Sequence, residues 1–513
     1  MDLAGVAESY WMASTDPTSY PPPPGDLEVD IAVVGGGIAG LCTAWELVQA
    51  GRQVTILESD RIAAGVTGHT TAKLTALHTL IYARILSSAG AEAARSYAES
   101  QQDAIDHVDR TADELGIDCE LERLPAYTYV TSDEGIEQVR AEADAAAQAG
   151  LPASFVTDTG LPFPVTGAVR LENQAQFHPR RYLLGVADAI VARGGAIHER
   201  TRVRRLVEGE PCRLITENGT TIIARDVVVA THYPVFDRAL LFMRLVPHRE
   251  LVVAAPIPAE RDPGGMYVTP EENVRSVRTG PYADGQRLLI VTGESFTPGT
   301  GDVAARYERL ITWARSRFGV KEIAYRWAAQ DNHTTDKIPY TGPLHAGAQH
   351  AYVTTGYGGW GMSNAVMSGR LLAALITGDS PPWAELYDPR RLDPLREAVP
   401  LLKAQATVAE HFFVDRLRSC HTGSVQDLDA GTAAIVRIGG ERCAVYRDQT
   451  GNLHAVSAIC THLGCVVAFN DAEQVWECPC HGSRFATDGS VLQGPANRPL
   501  KSLDVTGWNR TGP

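Results

Sequence analysis

No stretch of this 513-residue chain is both apolar and long enough to cross a bilayer, and the opening segment MDLAGVAESYWMASTDPTSYPPPPG has neither an apolar core nor paired arginines. Export and membrane insertion are therefore not expected, and the sequence reads as a cytoplasmic, soluble protein with no membrane partner. Excess positive charge is missing too. With 46 Lys and Arg against 61 Asp and Glu, the formal net charge of −15 leaves no broad basic surface to neutralise phosphates, so nucleic acid is not an expected partner. Internal repeats are absent. Cysteine is sparse except in one place: Cys42, Cys119, Cys212, Cys420 and Cys443 stand alone and read as ordinary thiols, whereas Cys460, Cys465, Cys478 and Cys480 crowd together. In a chain expected to stay in a reducing compartment, such crowding points to a metal rather than to a disulfide framework.

What is present fits a globular protein of two or three domains, 44% hydrophobic and 21% charged. A polar leader over 1–28 ends after the prolines at 21–24. Residues 29–34 form a short apolar run that stops at a glycine cluster, as a buried parallel strand does, and are followed by a helix-like stretch over 38–50 and a second strand over 54–57. This is a βαβ unit. Segments between 197 and 230 read as hairpins turning at Asn218-Gly219, and helices are expected near 92–115 and 133–149. A helix-like stretch over 396–418 carries the chain out of the first domain. The expected organisation is thus a first domain over 29–395, a helical linker over 396–420 and a strand-rich domain over 421–513.

The densest chemistry is CTHLGC at 460–465 and CPCHGS at 478–483. Cys460 and His462 form a Cys-x-His pair, Cys478 and His481 a Cys-x-x-His pair, so two loops each offer one thiolate and one imidazole. Such a Cys₂His₂ set is that of a Rieske [2Fe–2S] centre, in which two histidines replace two cysteines on one iron; a structural zinc site uses the same ligand types. Both loops resemble the binding boxes of Rieske proteins, down to the additional Cys465 and Cys480 and the later Gly494-Pro495-Ala496 turn. That resemblance favours the cluster over zinc. It implies Cys460 and Cys478 on one iron, His462 and His481 on the other, and a Cys465–Cys480 disulfide tying the loops, with reduced thiols as the alternative. Ser483 matches a serine that donates to a cluster sulfur, and Phe485 stands where high-potential members carry a tyrosine, which implies a potential below theirs.

Near the N-terminus, Gly35-x-Gly37-x-x-Gly40 lies between the first strand and helix, and Glu58 closes the next strand. Glycines in that setting bring backbone N–H groups and a helix N-terminus up to a pyrophosphate, and the carboxylate accepts from a ribose hydroxyl. DIAVVGGGIAGLCTAWELVQAGRQVTILES, VVVATHYP and TTGYGGWGMSNAVMSGRLLAALITG together resemble the D-amino-acid-oxidase-like FAD oxidoreductases. The fold this implies is an α/β, Rossmann-like FAD domain of the glutathione-reductase type with an α+β substrate domain, followed by a small all-β Rieske domain. GVTGHTTAKLTALHTLIYARI at 65–85 further resembles the subgroup carrying such a C-terminal domain. FAD contacts are implied at Thr67, His69 and Thr70 and at Gly356, Gly359 and Met362. For His69 a covalent bond to the flavin and a plain polar contact are the two readings.

The stretch WAAQDNHTTDKIPYTGPL lacks the Gly-x-Arg-Pro arginine by which relatives hold an amino-acid carboxylate. Asp331 is accordingly a candidate partner for a cationic amine or else a solvated loop acid; His333 and Lys337 are open; Tyr357 and Trp360 are candidate pocket walls. The expected activity is dehydrogenation of an amine-like small molecule, with electrons passing from FAD through the cluster to an external one-electron acceptor. A relay between NAD(P)H or ferredoxin and an oxygenase, without a carbon substrate, is the competing function. No second nucleotide fingerprint and no 2-His-1-carboxylate iron motif is present, which argues against a dedicated NAD(P)H domain and against a Rieske oxygenase.

Overall fold

A computed structural model describes residues 3–391 except 237 and 239, residues 428–504, and the single positions Leu402, Ala406 and Val425. Apart from the single positions Leu402 and Ala406, the linker helix expected over 396–418 lies outside the described residues.

The βαβ unit forms as the sequence indicates, with strand Leu27–Val34, helix Ile38–Gln49 and strand Val54–Leu57. Residues 31–34 are buried because parallel strands flank them on both sides, Ile31 opposite Val54 and Val34 opposite Val229. The hairpins end in the long strand Thr221–Val229, with Gly219 supplying the positive φ of their turn. Strands Ala351–Thr355 and Ala196–His198 extend the sheet on either side. Helix Gly361–Thr377 crosses the first helix at Gly369, where a Cβ atom would stand 2.8 Å from the backbone of Cys42 and Thr43.

A second, largely antiparallel sheet supplies the other wall of the molecule's interior, its strands Tyr325–Thr334, Leu245–Pro258, Gln286–Phe296 and Arg275–Pro281 lying side by side. Side chains alternate across it. Leu251, Val253 and Val291 pack with Tyr307 and Leu310 of helix Val303–Phe318 in one hydrophobic core, while His248, Glu250 and Val252 line the interior cavity. The polar leader is itself packed: Ser9 caps helix Tyr10–Ala13, and buried Trp11 donates from Nε1 to the Thr70 carbonyl at 2.6 Å.

The C-terminal part is all-β, with a sheet of Ala433–Ile438, Glu441–Arg447 and Leu453–Ser457 and a second of four short strands between 468 and 493. Trp476 and Phe485, paired across that second sheet and fully buried, anchor its core beside the cysteine loops. Among the described residues no helix is long and apolar enough to cross a membrane.

Candidate active site and metal centre

The glycine turn opens onto a cavity of about 1120 Å³ between the two sheets. Close approach explains the turn's composition. Gly35 has a φ of 110°, and a Cβ there would lie 2.4 Å from the Ala230 carbonyl oxygen; one on Gly40 would lie 1.9 Å from the Gly35 oxygen. Gly37 starts the helix with no side-chain cap, and Thr67 Oγ1 accepts from the Ile38 N–H at 3.0 Å. Glu58 accepts from the Gly36 N–H at 2.7 Å and the Asp60 N–H at 2.8 Å, while burial pushes its carboxyl above the usual range. A carboxylate so held keeps acceptor capacity for a hydroxyl. Gly35, Gly37, Glu58, Thr67, His69, Thr70, Tyr357, Gly359 and Met362 all line the cavity. Gly40 and Gly356 stand behind it as packing positions, a Cβ on Gly356 meeting Thr334 Cγ2 at 2.4 Å. A glycine cradle, a ribose-type carboxylate and a long cavity fit a flavin dinucleotide.

His69 closes the short helix Val66–His69, with Nδ1 2.8 Å from the Gly65 carbonyl. A carbonyl only accepts, so Nδ1 carries the proton, and burial lowers the pKa and keeps the ring neutral. That bond gives His69 a structural task without a covalent flavin. Acid precipitation is expected to release all flavin into the supernatant; fluorescence remaining on the denatured band would contradict this.

Asp331 lies in the strand Tyr325–Thr334, not in a loop. Its carboxylate accepts from the Gly359 N–H at 2.5 Å and the Asn332 N–H at 2.7 Å, with His232 Nε2 at 3.3 Å. Those donors outweigh burial and hold its pKa below the ordinary value. Asp331 therefore braces the glycine turn before helix Gly361–Thr377, and its reading as a solvated acid is corrected. Trp360 is not a cavity wall; its ring stacks on His78 at 4.8 Å. Tyr357 is one, its hydroxyl 2.6 Å from Thr354 Oγ1. His333, left open in the sequence, stacks at 4.0 Å on His248, whose pKa burial lowers to about 4. Lys337 is exposed and adopts a positive φ of 69°.

The two cysteine loops repeat one construction. Cys460 N–H donates to the Cys465 carbonyl and Gly464 N–H to the Cys460 carbonyl; Cys478 N–H donates to Ser483 and Gly482 N–H to Cys478, at 2.8 to 3.0 Å. Gly464 and Gly482 each supply the positive φ that closes such a loop. Cys465 and Cys480 form a disulfide between the loops. The sulfurs of Cys465, Cys478 and Cys480 lie within 4.8 Å of one another, but the disulfide withdraws two of them, leaving Cys478 from that trio for a metal. Cys460 and Cys478 share a hydrogen bond that draws the Cys460 thiol down and pushes Cys478 up. The rings of His462 and His481 stand 4.8 Å apart, nearly perpendicular. The paired loops thus bring two sulfurs side by side and two imidazoles side by side, the donor types that a Rieske centre uses. Ser483 reaches Cys460 with its side chain and accepts from the Ala496 N–H at 3.0 Å.

This end of the C-terminal domain sits against the flavin-side wall. His481, 2% exposed, packs its ring on Tyr233 and Phe242 at 6.4 and 5.8 Å. Gln330 lines the cavity and donates from Nε2 to the Gly482 carbonyl at 2.9 Å, beside His481. Arg249, 1% exposed, pairs with Glu473 at 2.5 Å and Glu477 at 3.5 Å across the junction. No local sequence signal joins these partners, which stand more than 150 positions apart.

Comparison with known proteins accords with this geometry. Residues 30–375 match the family described as FAD dependent oxidoreductase (DAO), and residues 419–504 match the Rieske [2Fe-2S] domain. A Bacillus subtilis (strain 168) protein bearing the name Rieske 2Fe-2S iron-sulfur protein YhfW is 36% identical over 97% of this chain and 98% of its own length. The gamma-glutamylputrescine oxidoreductase of Escherichia coli (strain K12) is 26% identical over 71% of this chain and 86% of that protein. Glycine oxidase from Geobacillus kaustophilus shares the fold, with a TM-score of 0.59 at 19% identity over 72% of this chain and all of that one. FAD and a Rieske [2Fe–2S] cluster are the cofactors, and purified protein is expected to carry two irons and two acid-labile sulfides per chain; zinc without labile sulfide after anaerobic purification would contradict this. The chain belongs to the FAD dependent oxidoreductase family and carries a Rieske domain on the C-terminal side of its flavoprotein body.

Proposed function

We propose that the protein dehydrogenates an amine-like small molecule at a C–N bond and delivers the electrons from flavin through the cluster to an external one-electron acceptor. The observation that carries this reading is the seat of the cluster loops on the cavity wall, where Gln330 touches both the flavin cavity and the Gly482 backbone next to His481. Bound FAD accepts two electrons from a carbon donor and releases them singly, and the cluster takes one at a time. The chain's own residues hold the geometry: Glu58 and the glycine turn fix the dinucleotide, Asp331 fixes the Gly359 backbone, and the Arg249 pairs fix the cluster domain.

The absence of the arginine anchor and the kinship with the gamma-glutamylputrescine oxidoreductase support an amine over a simple α-amino acid. Anaerobic mixing of the holoenzyme with a panel of primary and secondary amines, and separately with NADH and NADPH, tests the reading through flavin absorbance. Bleaching by an amine is expected; bleaching by NAD(P)H with none by any amine would favour the relay.

A further inference from the structure

Glu250 lies on the face of the second sheet that lines the cavity, two positions along its strand from His248 and directly opposite Ala329. Among the described residues no hydrogen-bond donor reaches its carboxylate. Its nearest compensating charge is Lys73, a buried side chain whose ammonium is held by the Ser276 hydroxyl and, at 3.3 Å, by Thr71 Oγ1. Burial lowers the Lys73 pKa to about 7 and raises that of Glu250, with Lys73 opposing the rise and Asp331 adding to it. Glu250 is thus a carboxylate with lone pairs facing the cavity and a counter-cation occupied elsewhere.

Two further polar groups without partners stand in the surrounding wall near Glu250. Thr292, 4% exposed, stands across from Val252 on the neighbouring strand, and its hydroxyl has no partner. Gln330, 2% exposed, uses Nε2 on Gly482 and leaves Oε1 buried without a donor. Both side chains line the cavity. A buried acceptor without a donor is costly, so Gln330 Oε1 favours a ligand N–H, and the Thr292 hydroxyl can accept one as well as donate. The arginines of this region are already engaged, Arg249 with Glu473 and Glu477 and Arg326 with the Gly5 carbonyl. A substrate carboxylate at this part of the wall would meet the Glu250 carboxylate at like charge.

We propose that Glu250 anchors the substrate ammonium and takes its proton, and that the substrate is an alkylammonium with no carboxylate on the reacting carbon. This rests on the amine-oxidising reading above. One N–H proton passes to the Glu250 carboxylate and leaves a neutral amine. With FAD bound as the two-electron oxidant, the adjacent C–H bond would break, its hydrogen would leave with both electrons to the flavin, and the nitrogen lone pair would form the C=N bond of an iminium product.

The test titrates oxidised holoenzyme with n-butylammonium and, separately, with butyrate, following the flavin absorbance shift. Butylammonium is expected to bind and butyrate to bind at least about 10-fold more weakly; Glu250→Gln should weaken butylammonium about 10- to 100-fold at unchanged FAD content, and Glu250→Asp less. Tighter binding of butyrate, or unchanged butylammonium affinity in Glu250→Gln, would overturn the proposal, and the first comparison needs no variant. Flavin reduction by the amine panel is read separately. Amine bleaching with unchanged affinity in Glu250→Gln overturns the anchor and spares the amine reading, whereas affinity lost in Glu250→Gln with no amine bleaching supports the anchor and overturns that reading.

Discussion

Replacing Cys460 with serine is expected to leave substrate reduction of the flavin at its normal rate while abolishing electron delivery to a one-electron acceptor too large to reach the flavin. The thiolate is one of two sulfurs offered by the paired loops, its loop is closed by its own backbone bonds to Cys465 and Gly464, and none of residues 460–465 lines the flavin cavity, so the cavity keeps its walls. Without a second thiolate the iron it serves has no comparable ligand, because Cys465 and Cys480 are joined to each other. Iron and sulfide analysis of the variant, beside anaerobic flavin bleaching by the amine found active, checks both halves. Bleaching lost together with the cluster would mean that the cluster is needed for the first step.

The second large effect is expected at the junction. Arg249 is buried beside two carboxylates, Glu473 and the fully buried Glu477, and Arg484 shares both. Removing one partner from such a network leaves charge stranded in a poorly solvated place, which costs about 3–5 kcal/mol in buried pairs; Arg484 keeps part of the compensation, so Arg249→Met should fall at the lower end. Where docking is separable from folding, a loss of about 3 kcal/mol lowers the docked-to-undocked ratio by roughly two orders of magnitude. The expected signature is slow cluster reduction after normal flavin reduction. Stopped-flow traces at the flavin and cluster bands measure it, with cluster content checked first.

The difference between what was legible in the sequence and what was not follows the range of the interactions. The first strand, helix and second strand were readable because each is set by local pattern: an apolar run, a glycine turn, a helical period. The observed bounds Leu27–Val34, Ile38–Gln49 and Val54–Leu57 differ from the expected ones by only a residue or two. The cluster loops were readable for the same reason, since ligand, closing glycine and second ligand lie within each short loop. Asp331 does line the cavity, but its place in a strand rather than a loop was not legible, because the strand that pairs with it begins at Leu245 and no local signal joins the two. Trp360 was expected in the cavity wall; the tight Gly358-Gly359 turn sends its ring to His78. Glu250 and Lys73 were passed over, and Gln330 was read only as part of the segment that lacks the arginine, since their meaning depends on strands meeting across the sheet and on a domain docking over it.

The central claim, that electrons run from flavin to cluster inside one chain, is tested most directly by the order of reduction. In anaerobic stopped-flow mixing of the holoenzyme with its active amine, flavin bleaching should come first and cluster reduction follow at a rate independent of protein concentration, with no cluster reduction in FAD-free protein. Cluster reduction preceding flavin bleaching with the physiological donor would contradict the account and make the protein a flavin reductase fed through its Rieske domain.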